Sequence, residues 1–438
     1  MYNRVQPKIL PGFMELLPQD QILFNIMYDT IRSTYERFGF LPLDTPTIEL
    51  SEVLLAKAGG ETEKQIYRFN KGENDLSLRF DLTVPLARYV AQHYNELVFP
   101  FKRYQMSKVF RGERPQKGRF REFYQCDIDV IGNESLDFIY DAEIPAVIYN
   151  VFTKLNIGKF TIRINNRKVL GGFFSSLNLK VNTADILRVV DKIDKIGDKE
   201  VRKELSNLNV DEKSINQIMV FLQIKGDAKT IIEKIRELDI DNQPFNEGIE
   251  ELSIVADGLR SFEIPEDNYK IDLTIARGLD YYTGTVYETI LDDYPELGSI
   301  CSGGRYENLT AYYTDQKLPG IGISIGLTRL FDQLLDAKLI TSENNGLVDV
   351  LIIPLEKENL SYALNVSTKL RDAAVNVDVY YLDKGMKQKM KYADRLNIPY
   401  VILIGEDEVR QDLVTLKNMK TGEQEMLDVK SVINKLTK

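Results

Sequence analysis

Apolar positions recur at helical spacing over residues 21–38, where Leu23, Ile26, Met27, Ile31 and Tyr35 mark one face of an amphipathic helix. The following GFLPLDTPTIE alternates like a strand but is broken by Pro42 and Pro46, as an edge strand tolerates. A strand-like run covers residues 76–80, and helical spacing returns over 84–94. An apolar, aromatic-rich run then leads to Phe110, a turn-prone segment holds Pro115 and Gly118, and a second alternating run extends over 120–130. This pattern predicts two strands joined by a loop. Antiparallel strands with helices against them follow, ending in KFTIRINNRKVL.

Over residues 170–262 the pattern changes. Ile186, Leu187, Val190 and Ile193 form one helical stripe; Ile215, Ile218, Met219 and Leu222 a second; Ile231, Ile232, Ile235 and Leu238 a third. Charged residues fill the other faces. This predicts a helical insertion at 170–262, packed as its own unit, inside a core made of 1–169 and 263–338. Its lysines suit RNA contact or a plain solvated face equally well. YKIDLTIARGLDYYTGTVYETIL returns to strand alternation, LGSICSGGRYENLTAYY predicts a Gly-rich turn after a strand, and GIGISIGLTRLFDQLLDAK runs from strand into helix. Residues 339–347, containing SENNG, read as a polar linker. Beyond it VDVLIIPL, a helix at 360–373, VDVYYL, a helix at 386–396 and PYVILIG alternate strand and helix. That predicts a small α/β domain at 348–438 with a largely parallel sheet.

Composition narrows the function classes. A chain of 438 residues with 43% hydrophobic and 28% charged residues is an ordinary globular protein of about three domains. A net charge of -10 and a pI near 5.1 argue against generic nucleic-acid coating, so any nucleic acid must be met by local patches. Cys126 and Cys301 have no paired spacing, which excludes a zinc site or disulfide framework and fits a reducing compartment. The opening MYNRVQPKILPGF lacks the apolar core of a signal peptide, and no run approaches membrane-spanning length. A soluble, cytoplasmic protein is expected. The one histidine, His93, falls in the helix at 84–94, which excludes most Ser/His and Cys/His chemistries.

Against this acidic background, the twenty residues from Lys102 to Arg121 hold eight basic side chains. Four arginines alternate with aromatics and Gly around the loop. A solvated charged hairpin is the ordinary explanation of such a run. The concentration of charge on one loop, followed by a strand carrying carboxylates, favours instead a site for a polyanion such as ATP or one end of a nucleic acid. No Walker-type GxxxxGK[ST] occurs, and Gly320, Gly322 and Gly326 do not make GxGxxG because position 325 is Ile. ATP binding must therefore use another scaffold.

The loop is also where a family resemblance becomes plain. FRGERPQKGRFREFYQ resembles motif 2 of class II aminoacyl-tRNA synthetases in the form FRxERPQxGRxREFxQ found in the histidyl branch. The similarity continues in ARGLDYYTGTVYE from Ala276, GGRYENL from Gly303 and GIGISIGLTR from Gly320. It runs from KILPGFMELLP near the start to GEDEVRQDLVTLKNMKTGEQ near the end, and ARGLDYY with GGRY points to the histidine branch specifically. The resemblance implies an α+β catalytic core with a mixed, mostly antiparallel sheet flanked by helices, a helical insertion, and a C-terminal α/β anticodon-binding domain. It implies a homodimer formed through the motif 1 region, the first helix and strand. It also implies a reaction: L-histidine is activated with ATP, Mg2+ bound to the nucleotide, to histidyl-adenylate and pyrophosphate. Histidine then passes to the 3′-terminal adenosine of tRNA(His). A catalytically silent paralogue, such as the regulatory subunit of ATP phosphoribosyltransferase, typically lacks the C-terminal domain and degrades the motifs; this chain keeps them. Another class IIa synthetase would share core and tail without the ARGLDYYTG and GGRY pair.

Residue by residue, the family pattern gives Arg111 the α-phosphate, Arg119 a further phosphate contact and Arg329, at the start of a helix, the outer phosphates of ATP. Arg277 approaches the reacting carboxylate and α-phosphate and joins Arg111 as catalytic; a salt bridge to Asp280 or Asp272 is its structural alternative. Arginine suits these tasks because its planar fork binds phosphate in a bidentate way and stays charged. Asp81 and Thr83, expected at the end of a strand, match residues that bind the α-amino group, in an Asp-Leu-Thr form where many bacterial relatives have Glu-Gly-Thr. Gln125 takes the backbone groups of the amino acid and Asp129 the imidazole. Asp127 shares their face by strand alternation, so either aspartate can hold the ring. Tyr281, Tyr282 and Tyr306 are expected pocket walls, and Arg114 and Gln116 face the tRNA acceptor end. No protein-ligated zinc or other metal is expected. No general base stands out, so the adenylate phosphate itself is the candidate proton acceptor in transfer.

Overall fold

The protein is described by a computed structural model covering residues 4–56, 61–114, 118–177, 179, 181–275, 282–307, 309–342 and 346–437. Contacts divide it into two compact units, Met1–Glu15 with Met27–Ile340, and Leu16–Ile26 with Thr341–Lys438.

The strands of the first unit are β1 (Leu41–Pro42), β2 (Ile48–Leu50), β3 (Arg68–Lys71), β4 (Asn74–Leu78), β5 (Phe101–Phe110) and β6 (Glu122–Ile131). They continue with β7 (Phe160–Asn166), β8 (Tyr269–Ile271), β9 (Tyr282–Leu291), β10 (Cys301–Tyr306) and β11 (Gly320–Ile325). Eight form one sheet in the order β1-β5-β6-β11-β10-β9-β7-β8, and β2-β4-β3 form a small second sheet. Pairing in the large sheet is parallel only at its two edges, β1 with β5 and β7 with β8, and antiparallel between them. Pro42 and Pro46 confine the motif 1 strands to short pieces, because a proline offers no N–H to a ladder.

Strand β6 lies inside this sheet, and its alternation sorts the chemistry. Cys126, Ile128 and Val130 are fully buried on one face, where Tyr35 of the helix Pro18–Arg37 donates its hydroxyl to the Cys126 carbonyl at 3.0 Å. Gln125, Asp127 and Asp129 take the other face. The β5/β6 hairpin runs in unbroken register from Phe101↔Ile131 to Phe110↔Glu122, so Lys102, Arg103 and Lys108 lie on β5 while Arg111, Arg114, Arg119 and Arg121 fall on the connecting segment. Helix Thr83–Gln92 and helix Leu327–Asp336 bring their first turns to the polar face of the sheet.

Two details differ from the sequence expectation. GGRY is strand, not turn: Gly303 and Gly304 sit inside β10, where a Cβ would come within 2.1 Å of the Gly322 carbonyl and 2.6 Å of the Thr285 carbonyl. The strand needs glycine there for close approach of its neighbours. Asp81 and Thr83 do not end a strand either; β4 stops at Leu78, and Thr83 opens the helix Thr83–Gln92.

Between residues 183 and 261 run the helices Thr183–Val190, Ile193–Asn207, Glu212–Leu222, Ala228–Arg236 and Gln243–Ser261, grouped with the first unit. Asn182, Asp211, Asp227 and Asn242 each accept a backbone N–H at a helix start. Of the three stripes, two residues depart: Ile193 opens the next helix rather than continuing Thr183–Val190, and Leu238 lies past the end of its helix and is 40% exposed.

The second unit holds β12 (Val350–Pro354), β13 (Val377–Val379), β14 (Tyr400–Ile404), β15 (Val414–Asn418) and β16 (Gln424–Leu427) in the order β13-β12-β14-β15-β16. The first three strands are parallel, connected by the helices Leu360–Asp372 and Met386–Arg395. The last two are antiparallel, so the sheet is less parallel than its strand–helix alternation predicts. The hairpin turns at Gly422, whose φ is +79°, and the Asn418 side chain accepts the Lys420 and Thr421 amides. Among the described residues no helix is long and apolar enough to cross a membrane.

Candidate active site

The polar face of β6, β11, β10 and β9 floors a cleft of about 760 Å³. That is within the range of roughly 300–1,000 Å³ usual for small-ligand sites. Asp81, Thr83, Arg111, Arg119, Gln125, Asp127, Asp129, Tyr282, Tyr306 and Arg329 all line it. Arg114, on the same loop as Arg111, is exposed and outside this lining. Arg277, Tyr281 and Gln116 lie outside the described residues, as does Asp280; Asp272 accepts from Arg163 Nε at 2.8 Å and from the Thr274 hydroxyl.

Two glycines of β11 make room for the floor. A Cβ at Gly322 would stand 2.3 Å from Asp129 Oδ1, and one at Gly320 would stand within 2.7 Å of the Tyr306 ring and hydroxyl. In the space so left, Tyr306 donates its hydroxyl to Asp129 Oδ1 at 2.8 Å, and Arg103 Nη2 lies 2.7 Å from Asp129 Oδ2. Tyr306 is therefore a buried support for the carboxylate as well as a wall. Asp127 is held by neutral groups, the Ser324 hydroxyl and Gln125 Nε2, which approaches its two oxygens at 3.3 and 3.4 Å and reaches Ser324 Oγ at 2.7 Å. Asp81 Oδ1 accepts the Val84 amide at 3.1 Å, capping the helix that Thr83 begins.

Arg111 joins floor to rim. Its Nε donates to the Phe80 carbonyl at 3.0 Å, its Nη2 to Gln125 Oε1 at 3.3 Å, and its guanidinium lies 5.1 Å from the centre of the Phe123 ring. On the rim, Arg329 Nη2 donates to the Leu297 carbonyl at 3.0 Å, and exposed Arg119 is 3.7 Å from Glu113 Oε2. Gly118, with φ +69°, lets the loop return against Arg329 and Gln333.

The electrostatics are polarised. Burial pushes the Asp129 carboxyl up to about 7, with Arg103 opposing it, and pushes Asp81 up to about 6, opposed by the Val84 amide and Arg111. Burial raises Asp127 as well. Asp81, Asp127 and Asp129 face Arg103 and Arg111, and buried Glu288 adds a fourth carboxylate beside Arg163, so the floor is acidic while the rim offers Arg119 and Arg329. Such a cleft suits a ligand with a cationic end on the floor and a polyphosphate at the rim. Among the described residues no group of three or more His, Cys, Asp or Glu is placed to hold a metal ion. His93 is outside the lining; its Nδ1 is 3.0 Å from Glu96 Oε2.

Arg103, Ser324 and Gln65 were not singled out by sequence reasoning, though Ser324 and Gln65 line the cleft and Arg103 touches its floor. A signal for Arg103 existed. If the loop is centred between Arg111 and Arg121, antiparallel pairing puts Arg103 opposite Asp129, which is the register found.

The profile of the family described as Histidyl-tRNA synthetase matches residues 12–330, and that of the Anticodon binding domain matches residues 349–438. The chain is 60% identical over 430 residues to a histidine–tRNA ligase of Clostridium tetani, covering 98% of each chain. It is 47% identical to one of Finegoldia magna, covering 99% of this chain and 100% of the other. The crystal structure of histidyl-tRNA synthetase from Nostoc sp. PCC 7120 superposes with a TM-score of 0.92 at 40% identity, over 99% of both chains. With matched profiles over core and tail and full-length relatives of this similarity, the chain belongs to the histidyl-tRNA synthetase family.

Proposed function

We infer that this chain is a histidine–tRNA ligase working in the cleft described above. The observation that carries the reading is the polarity of that cleft, three buried aspartates beneath a rim of arginines. An amino acid presents an ammonium to Asp81 and Thr83, its backbone groups to Gln125, and an imidazole N–H to Asp129, with Tyr282 and Tyr306 against the ring. Asp129 is favoured over Asp127 because a guanidinium and a tyrosine hydroxyl fix both of its oxygens. ATP enters with its Mg2+ as a substrate, its outer phosphates toward Arg119 and Arg329. Arg111, bonded to Gln125 at the floor and open to the rim, is suited to the α-phosphate, where charge accumulates as the carboxylate attacks. By the family pattern, Arg277 acts on the same charge. Holding both reactants in one geometry supplies much of the acceleration.

For transfer, the acceptor end of tRNA(His) meets the loop carrying Arg114 and Gln116, and the adenylate phosphate takes the ribose proton. In the second unit, Leu355, Tyr381, Leu382 and Met386 are exposed just beyond the carboxyl ends of β12 and β13, beside Lys357 and Lys387. Apolar and aromatic surface next to lysines suits unpaired anticodon bases. Exposed Leu41, Ile48 and Leu50, on the short strands of the motif 1 region, support a homodimer through that region. Translation places the enzyme in the cytoplasm. Charging of bulk tRNA with labelled histidine tests the reading: histidine-dependent, ATP-dependent acylation is expected, and its absence in folded protein overturns it.

A further inference from the structure

Arg103 is fully buried in the core of the first unit. It faces Asp129 directly across the β5/β6 pair, with Nη2 2.7 Å from Asp129 Oδ2. The same nitrogen donates at 3.2 Å to the carbonyl of Leu82, the residue between Asp81 and Thr83. One guanidinium thus ties together the segment assigned to the α-amino group and the carboxylate assigned to the imidazole. Its Nε and Nη1 are buried with no hydrogen-bond partner among the described residues. A buried cation with unmet donors is a poor stabiliser, and an apolar side chain of similar size commonly does as well or better. Its place between the two segments calls for a role in the site's chemistry.

We propose that Arg103 is a positioning residue for amino-acid recognition, holding the Asp129 carboxylate ionised and aimed so that it accepts the imidazole N–H. It acts without entering the cleft, whose lining does not include it. The inference rests on the assignment of the imidazole to Asp129. The groups facing Asp129 are Arg103 from β5, Asp127 on its own strand, Tyr306 from β10 and Asp81 from the segment before the helix Thr83–Gln92. Arg103 is the cation in this set, against two further carboxylates. Without it, like-charge repulsion and burial raise Asp129 further, so that it keeps its proton through neutral pH. A protonated carboxyl is a weaker acceptor for the ring N–H, so histidine binding weakens. Raising the pH removes that proton and restores the acceptor.

The test is histidine-dependent pyrophosphate exchange by Arg103→Met, Arg103→Lys, Asp129→Asn and the double variant Arg103→Met with Asp129→Asn, followed across pH. Arg103→Met should raise KM for histidine by about 10–100-fold, as for loss of a hydrogen-bonded charge. KM for ATP should stay within about twofold, and the acid limb of kcat/KM for histidine should move to higher pH. Arg103→Lys, which keeps the charge, should recover part of the loss. The double variant should be no worse than Asp129→Asn alone, because both act through one carboxylate. Arg103→Gln supplies the uncharged comparison if the Met variant does not fold. An unmoved histidine KM and acid limb in Arg103→Met, equal changes in both KM values, or additive losses would overturn the role of Arg103 while leaving the Asp129 assignment intact. If Asp129→Asn itself leaves the histidine KM unchanged, the assignment fails first and the proposal with it.

Discussion

Asp81 is observed in one job and proposed for a second, and their requirements conflict. Its carboxylate caps a helix and is assigned the substrate's ammonium, yet it is 4% exposed and burial raises its pKa to about 6. A carboxyl whose folded pKa is raised binds its proton more tightly in the folded state. Stability is therefore fullest below the unfolded value near 4 and falls as pH rises through about 6. Asp81→Asn retains a cap and removes the titration, so its thermal stability relative to wild type should improve between pH 4 and 7, by up to about 3 kcal/mol. Melting curves at several pH values check this; a constant difference would place the pKa near its ordinary value. Activation of histidine should fall in the same variant, since the site's demand is what keeps the charge buried. Arg277, assigned by the family pattern alone, carries a separate expectation: Arg277→Ala should cut pyrophosphate exchange by about 10²–10³, mainly in kcat. An exchange rate within about threefold of wild type would make it structural. Strand alternation was enough to put Gln125, Asp127 and Asp129 on one face. Arg103 was legible as their partner only through the register of the hairpin, since neither strand by itself points to it.

At the level of elements, helices and strands with a clear period were readable, and the departures have local causes. Glycine signals a turn when it supplies backbone freedom, and signals close approach when a neighbour occupies the place of its side chain. GGRY and the first two glycines of GIGISIG are of the second kind, and periodicity cannot tell the two apart. The antiparallel β15–β16 hairpin escaped because a strand after a helix is ordinarily read as parallel, and only the Thr421–Gly422 turn argues otherwise. The close-approach reading can be tested at Gly322. A methyl group there meets the Asp129 carboxylate at 2.3 Å and the Ile128 carbonyl at 2.4 Å, and the latter cannot rotate away. Gly322→Ala should lower both thermal stability and histidine-dependent exchange, the exchange by more than about 100-fold, as expected when a binding group is misplaced by about 1 Å. A variant with normal exchange would mean that Asp129 tolerates displacement and is not the imidazole contact.

Over the whole molecule, an acidic chain handles a polyanionic partner by concentrating basic groups where they are used. Recognition and chemistry then fall on separate units, and variants should separate them too. Tyr381→Ala combined with Lys387→Ala should weaken tRNA charging by about tenfold or more, as for loss of one stacked base and one phosphate contact. Pyrophosphate exchange without tRNA should stay within about twofold; equal losses in both would assign those residues to folding. The overall architecture was legible from alternation and motifs together, whereas Arg277, Tyr281 and Gln116 fall outside the described residues. The claim on which the rest depends is that this cleft selects histidine. Amino-acid-dependent ATP–pyrophosphate exchange, run with histidine, phenylalanine and leucine, tests it most directly. A pocket that hydrogen-bonds an imidazole should reject side chains lacking those groups by about 10⁴–10⁵ in kcat/KM. Histidine should therefore stand alone at that margin in the wild type and lose most of it in Asp129→Asn. Comparable exchange with phenylalanine or leucine, or a margin untouched by the substitution, would contradict the account.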